Sequence, residues 1–204
     1  MRTVFLPFVS TPKPTISVTV ACIEGPKGSF TRFNRVLGVV SNPNSRAISD
    51  VQVSITVYGV TSTVMEVVST VVQPGTVLPN GVGLFNARFG SRPRQEGCLT
   101  FGRIDTQLTS WREVNNTNVR PLTVIGTSCT GCVTGETEFL HIGVRNDQAV
   151  SLTQGTVTVQ GYFAVAELAL TQTLAPHETT TVTFVSYILG VYTDHIIAQG
   201  QIYP

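Results

Sequence analysis

Four cysteines, three histidines and one arginine-rich stretch are the residues of this chain whose types and spacing could do chemistry. Cys22, Cys98, Cys129 and Cys132 allow three disulfide connectivities. Cys129-Thr130-Gly131-Cys132 has the spacing of a redox pair, but that chemistry needs its first thiol at a helix N-terminus, where the thiol pKa falls. A glycine-bearing strand turn stands there instead. Zinc would need two further ligands, and no second Cys-x-x-Cys or paired His supplies them. Structural disulfides are therefore expected. Cys22 closes a first strand and Cys98 precedes a last one, Leu99–Ile104, so a Cys22–Cys98 bridge is the expected long closure. In the loop-entropy account such a bridge contributes roughly 4–5 kcal/mol. Cys129 and Cys132 would then close a tight turn.

His141, His177 and His195 all fall in the C-terminal half and read as surface or strand-edge residues. Asp194 and His195 are adjacent, so on a strand they point to opposite faces, which disfavours an acid–base pair. Glu136 and Glu138 share a strand face, where charges that discourage edge-to-edge pairing explain them more simply. No nucleophile elbow, phosphate-binding loop or Asp-rich calcium loop occurs in the sequence. An enzyme, a metal and a cofactor are all unexpected. The densest charge is Arg88-Phe89-Gly90-Ser91-Arg92-Pro93-Arg94, whose guanidiniums could grip carboxylates or sulfated sugars, or simply be solvated. Trp111 is expected to pack a domain junction rather than stack on a sugar. Asn115-Asn116-Thr117 matches a glycosylation acceptor.

The elements that must position these residues are strands. Val51, Val53, Ile55 and Val57 alternate with Gln52, Ser54 and Thr56, and Val157 and Val159 alternate with Thr156, Thr158 and Gln160. A strand sends alternate side chains to opposite faces, so the pattern predicts one buried face and one wet one. β-Branched residues suit that pleated surface. The one helix-like run, Phe163–Leu170, is short, uncapped and set in a strand-turn rhythm, and is read as a strand. Turn signals such as Ser41-Asn42-Pro43-Asn44-Ser45, Gln73-Pro74-Gly75 and Ala175-Pro176-His177 punctuate the strands.

An internal repeat separates one large β-fold from two small ones. Asn42 and Asn146 each lie sixteen residues before a tyrosine, Tyr58 or Tyr162, with Val53 in phase with Val157 and Ile55 with Val159. Leu78-Pro79 leads to Phe85, as Leu174-Ala175-Pro176 leads to Val182 and Phe184. Upstream, each copy has an alternating strand that runs to a cysteine, Cys22 or Cys129. The expected organisation is an extended Pro-containing leader over residues 1–14, one β-sandwich domain over 15–112 and a second over 113–204.

The unit resembles a bacterial immunoglobulin-like module, the FxLYD-type domain. The resemblance is carried by Val36-Leu37-Gly38-Val39-Val40-Ser41-Asn42, the strand Val51 to Tyr58, and the turn from Pro79 to Phe85; the second copy keeps Val144, Asn146, Tyr162 and Pro176. It implies an all-β fold of two tandem immunoglobulin- or fibronectin-like sandwiches, with no known active site. The chain departs from the pattern by an added hairpin-like stretch between Tyr58 and Leu78, and by lacking an acidic residue after the Tyr.

Charged residues make up only 12% of the chain, with Lys13 and Lys27 its only lysines, a surface that suits an extracellular protein. Residues 14–110 carry a net +3 and residues 111–204 a net −4, which favours head-to-tail contact between domains or molecules. No basic stripe interleaves with aromatics, so nucleic acid is not an expected partner. No apolar run is long enough for a transmembrane helix, and the Pro-broken N-terminus lacks the apolar core of a signal peptide. The expected function is a non-catalytic structural or protein-interaction module of a secreted or cell-surface protein, its signal removed or absent. Such a module would act on a protein partner or on itself. The alternative is a carbohydrate- or ligand-binding module using Arg88, Arg92, Arg94 and Trp111.

Overall fold

The computed structural model describes residues 13–24, 31–93, 102–115, 118–131, 139–161, 164–185 and 193–202. Every regular element among them is a strand, and every pairing is antiparallel. One sheet joins β1 (Thr15–Glu24), β2 (Thr31–Ser41) and β6 (Val82–Pro93) in the order β1-β2-β6. In the sheet facing it, β3 (Ala47–Tyr58) has β4 (Val64–Val71) and the short β5 (Thr76–Val77) on one side and β7 (Arg103–Val114) on the other. The arrangement then recurs. In a third sheet β10 (Phe139–Arg145) lies between β9 (Thr123–Thr130) and β13 (Thr179–Val185). The fourth runs β12-β11-β14-β8, from Val165–Leu170 through Leu152–Gly161 and Thr193–Ile202 to Val119–Pro121. The fold is an all-β sandwich.

Period-two burial builds two cores. Along β3 the buried Val51, Val53, Ile55 and Val57 alternate with less buried polar residues, and they meet Val36, Val40 and Phe85 from the facing sheet. Along β10, Leu140, Ile142 and Val144 meet Val157, Val159 and Leu174 in the same way. Each fully buried Val or Ile contributes about 1.5–3 kcal/mol of transfer free energy. The two clusters share no residue.

The repeat is written in the backbone as well as the core. Asn42 and Asn146 are buried and make the same bonds. The Nδ2 of Asn42 donates to the carbonyls of Arg46, Val77 and Leu78, at 2.9, 3.2 and 3.1 Å. That of Asn146 donates to Val150, Leu174 and Ala175, at 2.9, 2.9 and 3.2 Å. Each Oδ1 accepts the amide two residues on, from Asn44 or Gln148. The turns they brace match too, with left-handed backbone at Asn80 (φ 54°) and His177 (φ 63°). A matching irregularity breaks β3 and β11, where Asp50 (φ 54°) and Gln154 (φ 48°) are left-handed and the pairing to β7 or β14 slips.

Two details differ from the sequence reading. The stretch between Tyr58 and Leu78 is not an added hairpin, because β4 pairs with β3 as β12 pairs with β11. Most of its extra length is at the tip, where the Thr56–Val67 pair closes a wider loop than the Gln160–Val165 pair. The last strand of the first half is described from Arg103, residues 99–101 of the expected strand lying outside the described residues, and it runs on to Val114, past the expected boundary at residues 112 and 113. Residues 94–101, with Cys98 and Arg94, lie outside the described residues. The helix-like run is a strand over Val165–Leu170, as its setting implied.

Candidate functional site

The residues with chemical potential are dispersed over the fold. Cys129, near the end of β9, is disulfide-bonded, whereas the side chains of Cys22, Cys98 and Cys132 lie outside the described residues. His141, on β10, sits between two hydroxyls, with Thr130 Oγ1 3.1 Å from Nε2 and Thr183 Oγ1 2.9 Å from Nδ1. His177 holds its turn through its backbone, its amide donating to the Asn146 carbonyl at 2.7 Å. His195 is exposed on β14. Glu136 and Glu138 and the Asp194 side chain lie outside the described residues. Among the described residues no group of three His, Cys, Asp or Glu side chains could hold a metal ion.

Arg88 and Arg92 lie on a strand, and Arg94 lies outside the described residues. Residues 88 to 93 belong to β6, where Arg88 pairs with Arg35 of β2 and Arg92 with Arg32. Two like charges directly across a sheet repel. Burial, with the charge of Arg88 beside it, pushes the Arg35 pKa down. The Arg35 Nε is buried without a hydrogen-bond partner among the described residues. Trp111 does not join this face. It lies on β7, in the other sheet, half-buried against the first core.

The junction between the halves includes residues that the sequence marks as solvent-facing. Val157, Val159 and Ala198 point into the second core, so Thr158, Gln160 and Gln199 lie on the outer side of that sheet, yet all three are buried. On the first half, Leu37 and Leu84 are buried but belong to neither core. β6, which carries Leu84, approaches β11 and β12. Gln199 Nε2 donates to the Thr76 carbonyl at 3.3 Å, a direct bond between the halves. Thr158 Oγ1 donates to Glu167 Oε2 at 2.9 Å.

β8 anchors the seam from below. Its Pro121, Arg120 and Val119 pair with Gln199, Gly200 and Gln201 of β14, and the next amide, Leu122, donates to Ala198 at 2.9 Å. Two cavities open along this seam. One, of about 530 Å³, runs between Leu78, Pro79 and Val82 of the first half and Pro121, Leu122 and Ile197 of the second. The other, of about 520 Å³, lies between Arg46, Val114, Asn115 and Arg120. Pro79 and Arg120 border both. Arg46 faces Glu113 at 3.2 Å, and one Arg120 nitrogen donates to the Val119 carbonyl at 2.9 Å. Sequence reasoning passed over Arg46 and Arg120; the one available signal was the basic and apolar run Val119-Arg120-Pro121-Leu122 after the expected boundary.

Comparison with protein-family models finds no match, and comparison with curated proteins finds none either. Among solved structures the chain is similar to red sea bream transglutaminase, at 13% identity and a TM-score of 0.27. The match covers 93% of this chain and 27% of that one, so the chain spans about a quarter of that protein's length. No helix among the described residues is long and apolar enough to cross a membrane.

Proposed function

We propose that this chain is a non-catalytic structural or protein-interaction module of a secreted or cell-surface protein, made of two tandem FxLYD-like sandwich domains. The observation that carries the reading is β4. It pairs only with β3 among the described strands and lies at the end of its sheet. It exposes Val64, Met65, Val67 and Val71 while carrying one charge, Glu66. An edge strand with exposed apolar side chains and few charges is a template for pairing with another chain. Sedimentation velocity over a range of concentrations tests it: the chain associates with itself, and Val67→Lys weakens that association. A chain that stays monomeric at every concentration removes self-association. Turnover in a broad hydrolase screen, lost on substituting His195, would end the non-catalytic reading. The proposal includes a Cys22–Cys98 disulfide, which non-reducing peptide mapping would reject by finding either thiol free.

A second reading is supported by the arginine ladder. Arg35 and Arg88 face each other across β2 and β6, a charge pair that an anionic ligand would relieve. This favours a carbohydrate-binding module for acidic or sulfated glycans, with Arg88, Arg92 and Arg94 as contacts and Trp111 left out. Retention on a sulfated glycan column that falls with Arg88→Gln supports it, and a blank glycan array removes it.

A further inference from the structure

We propose that the seam between the halves is a binding site for a small amphipathic carboxylate, with the apolar chain between Val82 and Ile197 and the carboxylate head at Arg120. This goes beyond the module function proposed above and does not depend on it. Ligand sites for small molecules are clefts of about 300–1,000 Å³, mostly apolar with a few polar groups, and are common where two units meet. The cavity between Leu78, Val82, Leu122 and Ile197 has that volume and that lining. Its walls come from both halves, so neither half alone forms it.

The second cavity gives the ligand its polarity. Arg120 borders both spaces, and across the second stands Arg46, so an apolar slot opens onto a chamber walled by two guanidiniums. A purely apolar ligand would leave that end unused, and a small anion would leave the slot unused. A molecule with an alkyl chain and a carboxylate fits both. The planar guanidinium suits a carboxylate, which it can bind through two parallel N–H groups. Both arginines sit on fixed backbone: Arg120 pairs with Gly200, and the Arg46 carbonyl accepts the buried Asn42 amide. Glu113, beside Arg46 at 3.2 Å, opposes an anionic head and sets the affinity below its maximum.

Calorimetric titration of the full chain with octanoate, below its micelle-forming concentration, tests the proposal against octanol and acetate. Octanoate binds saturably at one per chain, and acetate and octanol each bind about tenfold more weakly or worse. Arg120→Gln costs octanoate about tenfold and leaves octanol unchanged, whereas Glu113→Gln tightens octanoate several-fold. Ile197→Glu, at a lining position outside both cores, abolishes binding of either chain. Amide chemical-shift mapping of the unmodified chain reads the same site without any variant, with octanoate shifting Val82, Arg120 and Ile197 together. The proposal is overturned by the absence of saturable octanoate heat, by equal octanoate affinity in Arg120→Gln, or by shifts confined to other strands.

Discussion

Asn42 and Asn146 each hold together three chain segments with one side chain. Each amide nitrogen satisfies carbonyls of its own turn and of the strand-to-turn segment opposite, and each oxygen orders the next turn. Buried carbonyls left without a donor carry their full desolvation cost. Asn146→Ala should therefore destabilise the chain by about 2–4 kcal/mol, read as a lower midpoint in urea with an unchanged slope. An unchanged midpoint would show that water replaces the amide freely. A different residue governs acid behaviour. Asp147 has its pKa lowered by hydrogen bonds from Arg145 and Thr123, and Asp50 by a hydrogen bond from Arg112. A carboxylate whose folded pKa is depressed adds stability above its unfolded pKa, near 4, and loses it as pH falls through the folded value. Urea midpoints should therefore fall below about pH 4, and more shallowly in Asp147→Asn. Identical pH profiles for the two proteins would refute this. Both groups are exposed, so the effect is small.

Equivalent strands in the two halves fill the same space with different residues. Gly38 pairs with Phe85 across β2 and β6, and Ile142 pairs with Val182 across β10 and β13. The two glycine hydrogens leave room for the Phe85 ring: a Cβ at position 38 would stand 2.2 Å from it. Gly38→Ala should cost about 1–3 kcal/mol by overpacking, and adding Phe85→Val should recover part of that loss. Strict additivity of the two changes in a double-mutant cycle would show that they do not share the space. This pairing explains what the sequence could and could not show. Period-two alternation from Val51 to Val57, and the spacing of Asn42 to Asn146, identified strands, faces and repeat, because the signals are local or repeated. Thr158 and Gln160 read as wet for the same reason, since alternation reports only which face a residue shares. Their burial comes from the approach of the other half, a long-range fact. Arg46 and Arg120 lie far apart in sequence and come to border one cavity only at that seam.

At the scale of the whole molecule, two cores without a common residue flank a seam that mixes buried polar side chains with apolar ones. Gln199 bonds the Thr76 carbonyl across it and Thr158 bonds Glu167 beside it, hydrogen bonds that a solvated surface could also form, while Leu37, Leu84 and the cavity walls supply its apolar part. The opposite net charges of the halves, +3 over residues 14–110 and −4 over 111–204, add an attraction that salt screens within about 10 Å. If such a contact orients two units without fusing their stability, each core should melt by itself. Val53→Ala removes buried volume from the first core alone, and Val157→Ala from the second, each at a cost of about 1–3 kcal/mol. For units of this size that corresponds to a drop of roughly 4–8 °C per kcal/mol in the melting temperature of the unit concerned. Calorimetry should resolve two transitions, with each variant lowering only one of them. Raising salt should leave both midpoints nearly in place while weakening their coupling. If either variant instead moves a single, undivided transition, the seam couples the two cores, and the proposed two-domain organisation fails as a description of stability.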